Sequence, residues 1–142
     1  MTTNRAHLTA AFFCERPLLE QDGVMSAIRI FDRIFVPQLE QSEPPKAPVP
    51  LTLVLMFKSG NYSGPASVKI SPVPPSGKKP SKEIEQKLEL PNQPNGGANL
   101  LANISFAPKE EGVYWFDIYF NGELITRTPL DVQILPQQQQ KN

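Results

Sequence analysis

Sixteen prolines in a chain of 142 residues leave little room for helices, because proline is excluded from helix interiors and from central strands. Numerous short strands joined by irregular loops satisfy both constraints, and the apolar pattern agrees. Alternation with period two recurs from end to end, the signature of half-buried strands. Leu51, Leu53, Leu55 and Phe57 alternate with Thr52, Val54, Met56 and Lys58. Both faces are largely apolar, as in a central strand. Ile84, Leu88 and Leu90 fall opposite Glu83, Glu85, Lys87 and Glu89, which predicts a strand with one wet face, ended by Pro91. Leu100, Ala102, Ile104 and Phe106 repeat the pattern after the turn-forming Pro94-Asn95-Gly96-Gly97.

The last third carries the strongest local signals. Tyr114, Phe116, Ile118 and Phe120 alternate with Val113, Trp115, Asp117 and Tyr119 before Asn121-Gly122, both of which accept positive φ in a tight hairpin. A strand returning from Glu123 sets Leu130, Val132 and Ile134 on one parity, with Pro129 at a bend or edge. Near the start, His7 to Glu15 form a β-prone segment centred on Phe12 and Phe13, followed by a turn at Gln21-Asp22-Gly23. In Ser26 to Val36, Ile28, Ile30, Ile34 and Val36 share a face with Asp32. An inward charge there calls for a bulge or bend near Phe31-Asp32.

Seven or eight strands at this spacing mean a sandwich or a barrel. Glu111-Gly112-Val113-Tyr114-Trp115-Phe116 has the layout of a tyrosine corner, in which the Tyr hydroxyl returns to the chain just upstream, here 107–110. The expected fold is therefore an all-β, immunoglobulin-like antiparallel sandwich with Greek-key connections. One domain over 1–136 is expected, with Pro-rich loops at 37–50 and 72–80 and a disordered Gln-rich tail at 137–142.

Composition narrows the chemistry. Lys plus Arg and Asp plus Glu both number 14, and Lys78, Lys79 and Lys82 run directly into Glu83 and Glu85. No clustered positive charge offers itself to nucleic acid. No apolar run approaches the 18 or so residues of a membrane span. The opening segment lacks the cationic and apolar regions of a secretory signal. With the single Cys14 allowing no intrachain disulfide, a reducing, cytoplasmic location is expected.

Catalytic groups are equally sparse. His7, the one histidine, lies on the opposite strand face from Cys14 and over roughly 20 Å away at about 3.3 Å per residue, so the two form no dyad within that strand. One His and one Cys supply too few ligands for a transition metal. Asp22, Asp32, Asp117 and Asp131 are scattered singly, unlike a calcium loop. Asn95-Gly96-Gly97 is followed by no Lys-Ser or Lys-Thr, so it reads as a turn and not a phosphate cradle. No catalytic, cofactor-binding or metal residue is assigned, and no enzyme is expected.

Two stretches carry a resemblance. Phe13-Cys14-Glu15 with Asp22-Gly23 and Ser26 to Ile34, and Gly112 to Gly122 followed by Pro129-Leu130-Asp131-Val132, resemble a family of small bacterial β-sandwich proteins of unknown function. The likeness covers about Leu8 to Ile134. The closing hairpin is also similar to filamin-type immunoglobulin repeats. The resemblance implies the fold and a bacterial source but no activity, and the longer Pro-rich loops set this chain apart.

Two side-chain groupings suggest binding. Arg29 and Arg33 share parity with Phe31 and Phe35, opposite Ile28 and Ile30, and Arg and aromatics are enriched in interface hot spots. Trp115 and Tyr119 flank Asp117 on the face opposite Tyr114 and Phe116. Together they point to a non-enzymatic protein-binding or assembly module whose partner is another protein or a second copy. The alternative is a sandwich that binds a small ligand or carbohydrate through Trp115, Tyr119 and the loops.

Overall fold

The structure is a computed structural model that describes residues 6–37, 49–78 and 82–135. The segment 38–48 of the first Pro-rich loop and the expected disordered tail lie outside the described residues. Nine strands form: β1 His7–Leu19, β2 Met25–Phe31, β3 Arg33–Pro37, β4 Val49–Lys58, β5 Gly64–Val73, β6 Ile84–Leu90, β7 Gly97–Phe106, β8 Gly112–Phe120 and β9 Glu123–Leu135. A four-stranded sheet, β2-β1-β4-β7, packs on a five-stranded sheet, β3-β9-β8-β5-β6. The chain crosses between sheets from β4 to β5 and from β7 to β8, so the pairs β4/β7 and β5/β8 interlock. That is the Greek-key arrangement of an immunoglobulin-like sandwich.

The strand count exceeds the expected seven or eight because Ser26–Val36 is two strands. At Asp32 the chain leaves the four-stranded sheet, and β3 joins the other one. The bend expected near Phe31-Asp32 is therefore a change of sheet. Asp32 itself is exposed, and its carbonyl accepts a hydrogen bond from the Asp131 amide at 2.9 Å. The sandwich is also not purely antiparallel, since β3 runs parallel to β9 from Arg33↔Asp131 to Pro37↔Leu135.

Proline placement follows from hydrogen bonding. Each of the six strand prolines lies where the register gives its strand one neighbour only. Pro17 faces β2 and Pro37 faces β9, while Pro50 faces β7. Pro65 faces β6, Pro72 faces β5's other neighbour β8, and Pro129 also faces β8. A residue without an N–H forfeits nothing on such a side.

The core is aromatic where the sheets meet. Phe116 has no exposed surface and meets Phe13 edge-on at 4.9 Å and Phe106 at 5.6 Å between centroids. At the other end Phe120 packs on Phe57 at 5.7 Å and Tyr62 at 5.2 Å. The tyrosine corner forms as the sequence implies. The Tyr114 hydroxyl donates to the Glu110 carbonyl and accepts from the Glu110 amide, each at 3.1 Å. The Glu110 carboxylate in turn accepts from the Ser76 amide and hydroxyl at 3.1 and 2.9 Å, tying the loop after β5 to the corner. Asn121 (φ 49) and Gly122 (φ 86) make the tight β8–β9 turn.

Candidate interaction surface

The outer face of the five-stranded sheet gathers three of the five residues singled out above. Arg33 pairs with Asp131 at 3.2 Å across the parallel β3–β9 ladder. Asp131 stands opposite Val113 on β8, and two residues on, Trp115 stands between Pro129 on β9 and Val73 on β5. Arg127 pairs with Asp117 at 2.7 Å and lays its guanidinium over the Trp115 ring, 5.2 Å from the centroid. Beyond Asp117, the Lys69 ammonium sits 4.8 Å from the Tyr119 centroid. Val113 and Trp115 stay 41% and 39% exposed between the two ion pairs, and Phe35, 59% exposed, lies on the same face beyond Arg33, opposite Gln133.

Arg29 and Phe31 lie elsewhere, so the Arg–aromatic stripe does not form as one face. Its two halves belong to different sheets because the chain crosses at Asp32. Phe31 pairs in register with the buried Phe13, stacks on it at 6.3 Å and packs against the core. Arg29, at φ 57, forms an exposed ion pair with Glu15 at 3.0 Å. The face expected to be inward, Ile28 and Ile30, is 42% and 62% exposed. Val113, Arg127 and Pro129 are the members of the outer face that sequence reasoning missed.

Cys14 stands in the rung of Ile30 and Thr52, fully buried, and His7 is exposed at the other end of β1, opposite Lys58. Burial raises the Cys14 thiol above its ordinary range, and it does the same to the Tyr114 phenol. Both groups are neutral when protonated, so the fold favours the protonated form. Between the ordinary and the folded pKa the native state holds a proton that the unfolded chain has released. Stability is then complete below about pH 8.5 and falls as pH rises through the thiol and phenol ranges toward about 10 and above. Urea midpoints measured from neutral pH upward are expected to drop on the alkaline side. A flat profile there would contradict this assignment.

Two shallow depressions of about 290 and 300 Å³ lie where β1 faces β9 and share Ala11, Thr128 and Pro129. Trp115 and Tyr119 line neither.

Residues 9–133 match the family of unknown function DUF6941. The chain belongs to that family. No curated protein sequence matches this DUF6941 member. Among solved structures it is similar to the Pseudomonas fluorescens alkylpurine DNA glycosylase AlkC bound to DNA containing an abasic site analogue, at 11% identity and a TM-score of 0.49. That match covers 72% of this chain but only 28% of the glycosylase. An immunoglobulin-like protein of Pseudomonas aeruginosa matches at 12% identity and a TM-score of 0.44, over 91% of this chain and 95% of that one.

Proposed function

We propose that this DUF6941 member is a non-enzymatic protein-binding module that docks a protein partner on the outer face of its five-stranded sheet. The observation that carries the reading is the exposed pair Val113 and Trp115, set between the Arg33–Asp131 and Arg127–Asp117 pairs, with exposed Phe35 on the same face beyond Arg33, opposite Gln133. An apolar and aromatic centre with an Arg-rich polar rim is the composition of protein interfaces. The carbohydrate alternative is less favoured by the same geometry. Arg127 lies over the Trp115 ring and Lys69 over the Tyr119 ring, where a sugar would stack.

Size-exclusion of native extracts from the source cell tests the reading. The wild-type chain is expected in a larger complex, and Phe35→Glu combined with Trp115→Glu at the size of the free protein. Glu85→Lys, on the far side of the same sheet at the β6 edge, should elute with the wild type. Elution of the wild type at free-protein size, or a complex indifferent to the double change, would sink the proposal.

A further inference from the structure

The sandwich has four edge strands, and three of them are guarded against pairing. The β2 edge carries Arg29 at positive φ, ion-paired to Glu15. The β3 edge is five residues long with Arg33 at its start and Pro37 at its end. The β6 edge carries Glu85, Lys87 and Glu89. Charge, proline, shortness and local distortion are the devices by which proteins keep sheet edges from pairing. The β7 edge has none of them. Gly97–Phe106 is ten residues long and holds no charge and no proline, and among the described residues only β4 pairs with it.

We infer that β7 is a self-association edge, pairing antiparallel with β7 of a second copy about a two-fold axis through Leu101. The inference uses a surface apart from the proposed partner face and does not depend on that reading. What selects a second copy is how the strand complements itself about Leu101. With Leu101 opposite Leu101 of the other copy, Asn99 meets Asn103 on the outer face, in both directions. On the inner face Leu100 meets Ala102, and Ile104 meets Ala98, so each large side chain faces a small one. Directly opposed side chains stand close enough, about 4.5–5.5 Å between Cβ atoms, for these matches to count. Gly97 would meet Ser105, which extends the pairing along nearly the whole strand. The contact joins two four-stranded sheets into one of eight, with the two-fold self-complementary form of a closed dimer.

The test is the mass of the purified full chain by light scattering and sedimentation. Measurements from about 1 μM to about 1 mM cover the range in which modest interfaces dissociate. The wild type is expected to reach twice 15.8 kDa. Asn99→Lys with Asn103→Lys puts lysine opposite lysine in both outer rungs and should weaken the dimer by on the order of ten-fold or more. Asn99→Glu with Asn103→Lys puts glutamate opposite lysine in the same rungs and should restore it. Both positions are exposed in the monomer, and circular dichroism confirms that each variant folds. A wild type that stays monomeric throughout overturns the inference, as does a dimer untouched by the double lysine variant. Equal loss in both variants overturns it too, because the register would then be wrong. A dimer abolished by Phe35→Glu with Trp115→Glu but kept by both Asn variants would place self-association on the other face and overturn it as well.

Discussion

Phe116→Ala is expected to cost about 3–5 kcal/mol, the range for deleting a fully buried phenylalanine. Its ring comes from the five-stranded sheet, while Phe13 and Phe106 come from the four-stranded one. Truncation therefore opens a void between the layers, where neither sheet can close over it alone. The two ring contacts are lost as well, each worth about 0.5–1.5 kcal/mol beyond area burial. Domains of this kind carry only about 5–15 kcal/mol in total, so the variant should sit near the edge of folding. Urea unfolding measures the loss. Val113→Ala, on the same strand but exposed, should stay within about 0.5 kcal/mol of the wild type. A loss at Phe116 below about 1.5 kcal/mol would mean that the inter-sheet core can collapse around the gap, contrary to the rigid packing inferred here.

That Phe116 is central was legible in the sequence, and the reason is local. The Tyr114 corner, the alternation through Phe120 and the Asn121-Gly122 turn lie within a dozen residues and fix face and register together. The wet face of β6 was legible for the same reason, since Glu and Lys on one parity leave a single choice of inside. In Ser26–Phe31 the period was equally clear but the choice was not. Isoleucines occupy one face and Phe31 the other, both apolar, and alternation says only that the faces differ. The deciding fact is the Phe13↔Phe31 register across the β1–β2 hairpin, which no local pattern states. The crossing at Asp32 was visible as a conflict of charge and parity. Its consequence, a parallel ladder with a strand about a hundred residues away in the chain, was not.

Arg127 shows a subtler limit. An uninterrupted two-residue hairpin at Asn121-Gly122 pairs Phe120 with Glu123 and Tyr119 with Leu124, and carried further it would set Asp117 opposite Thr126. A register shift between Ile118 and Tyr119 instead brings Arg127 opposite Asp117. The same extra residue lets Ile125 and Leu130, of opposite parity, both reach the core. A bulge re-aims every side chain beyond it, so the ion pair and the stacking on Trp115 depend on one residue that alternation cannot register.

Gly97→Ala is the second large effect expected, and it acts through the backbone. A Cβ built at this position would lie 2.1 Å from the Phe57 carbonyl oxygen, well inside any real carbon–oxygen contact. The obstacle is the neighbouring strand itself, since Gly97 pairs with Lys58 at the end of the β4–β7 ladder. To admit the methyl group the strands must part there. The adjoining loop bonds, Ser59 amide to Gly96 carbonyl at 2.8 Å and Gly60 amide to Pro94 carbonyl at 3.0 Å, would be strained with them. Overpacking costs typically about 1–3 kcal/mol, and each backbone bond lost adds roughly 1 kcal/mol. A total of about 2–4 kcal/mol follows, or roughly 6–15 °C in Tm for a domain of this length. Gly96→Ala is the matched comparison. Its Cβ would meet the Pro91 Cγ at 3.0 Å and the Gln93 Cβ and carbonyl oxygen at 3.3 Å, contacts that a loop shift of a few tenths of an ångström relieves, so a drop of no more than about 1 kcal/mol is expected. If the two variants melt together, the close approach of β4 to β7 at Gly97 is not what requires glycine there.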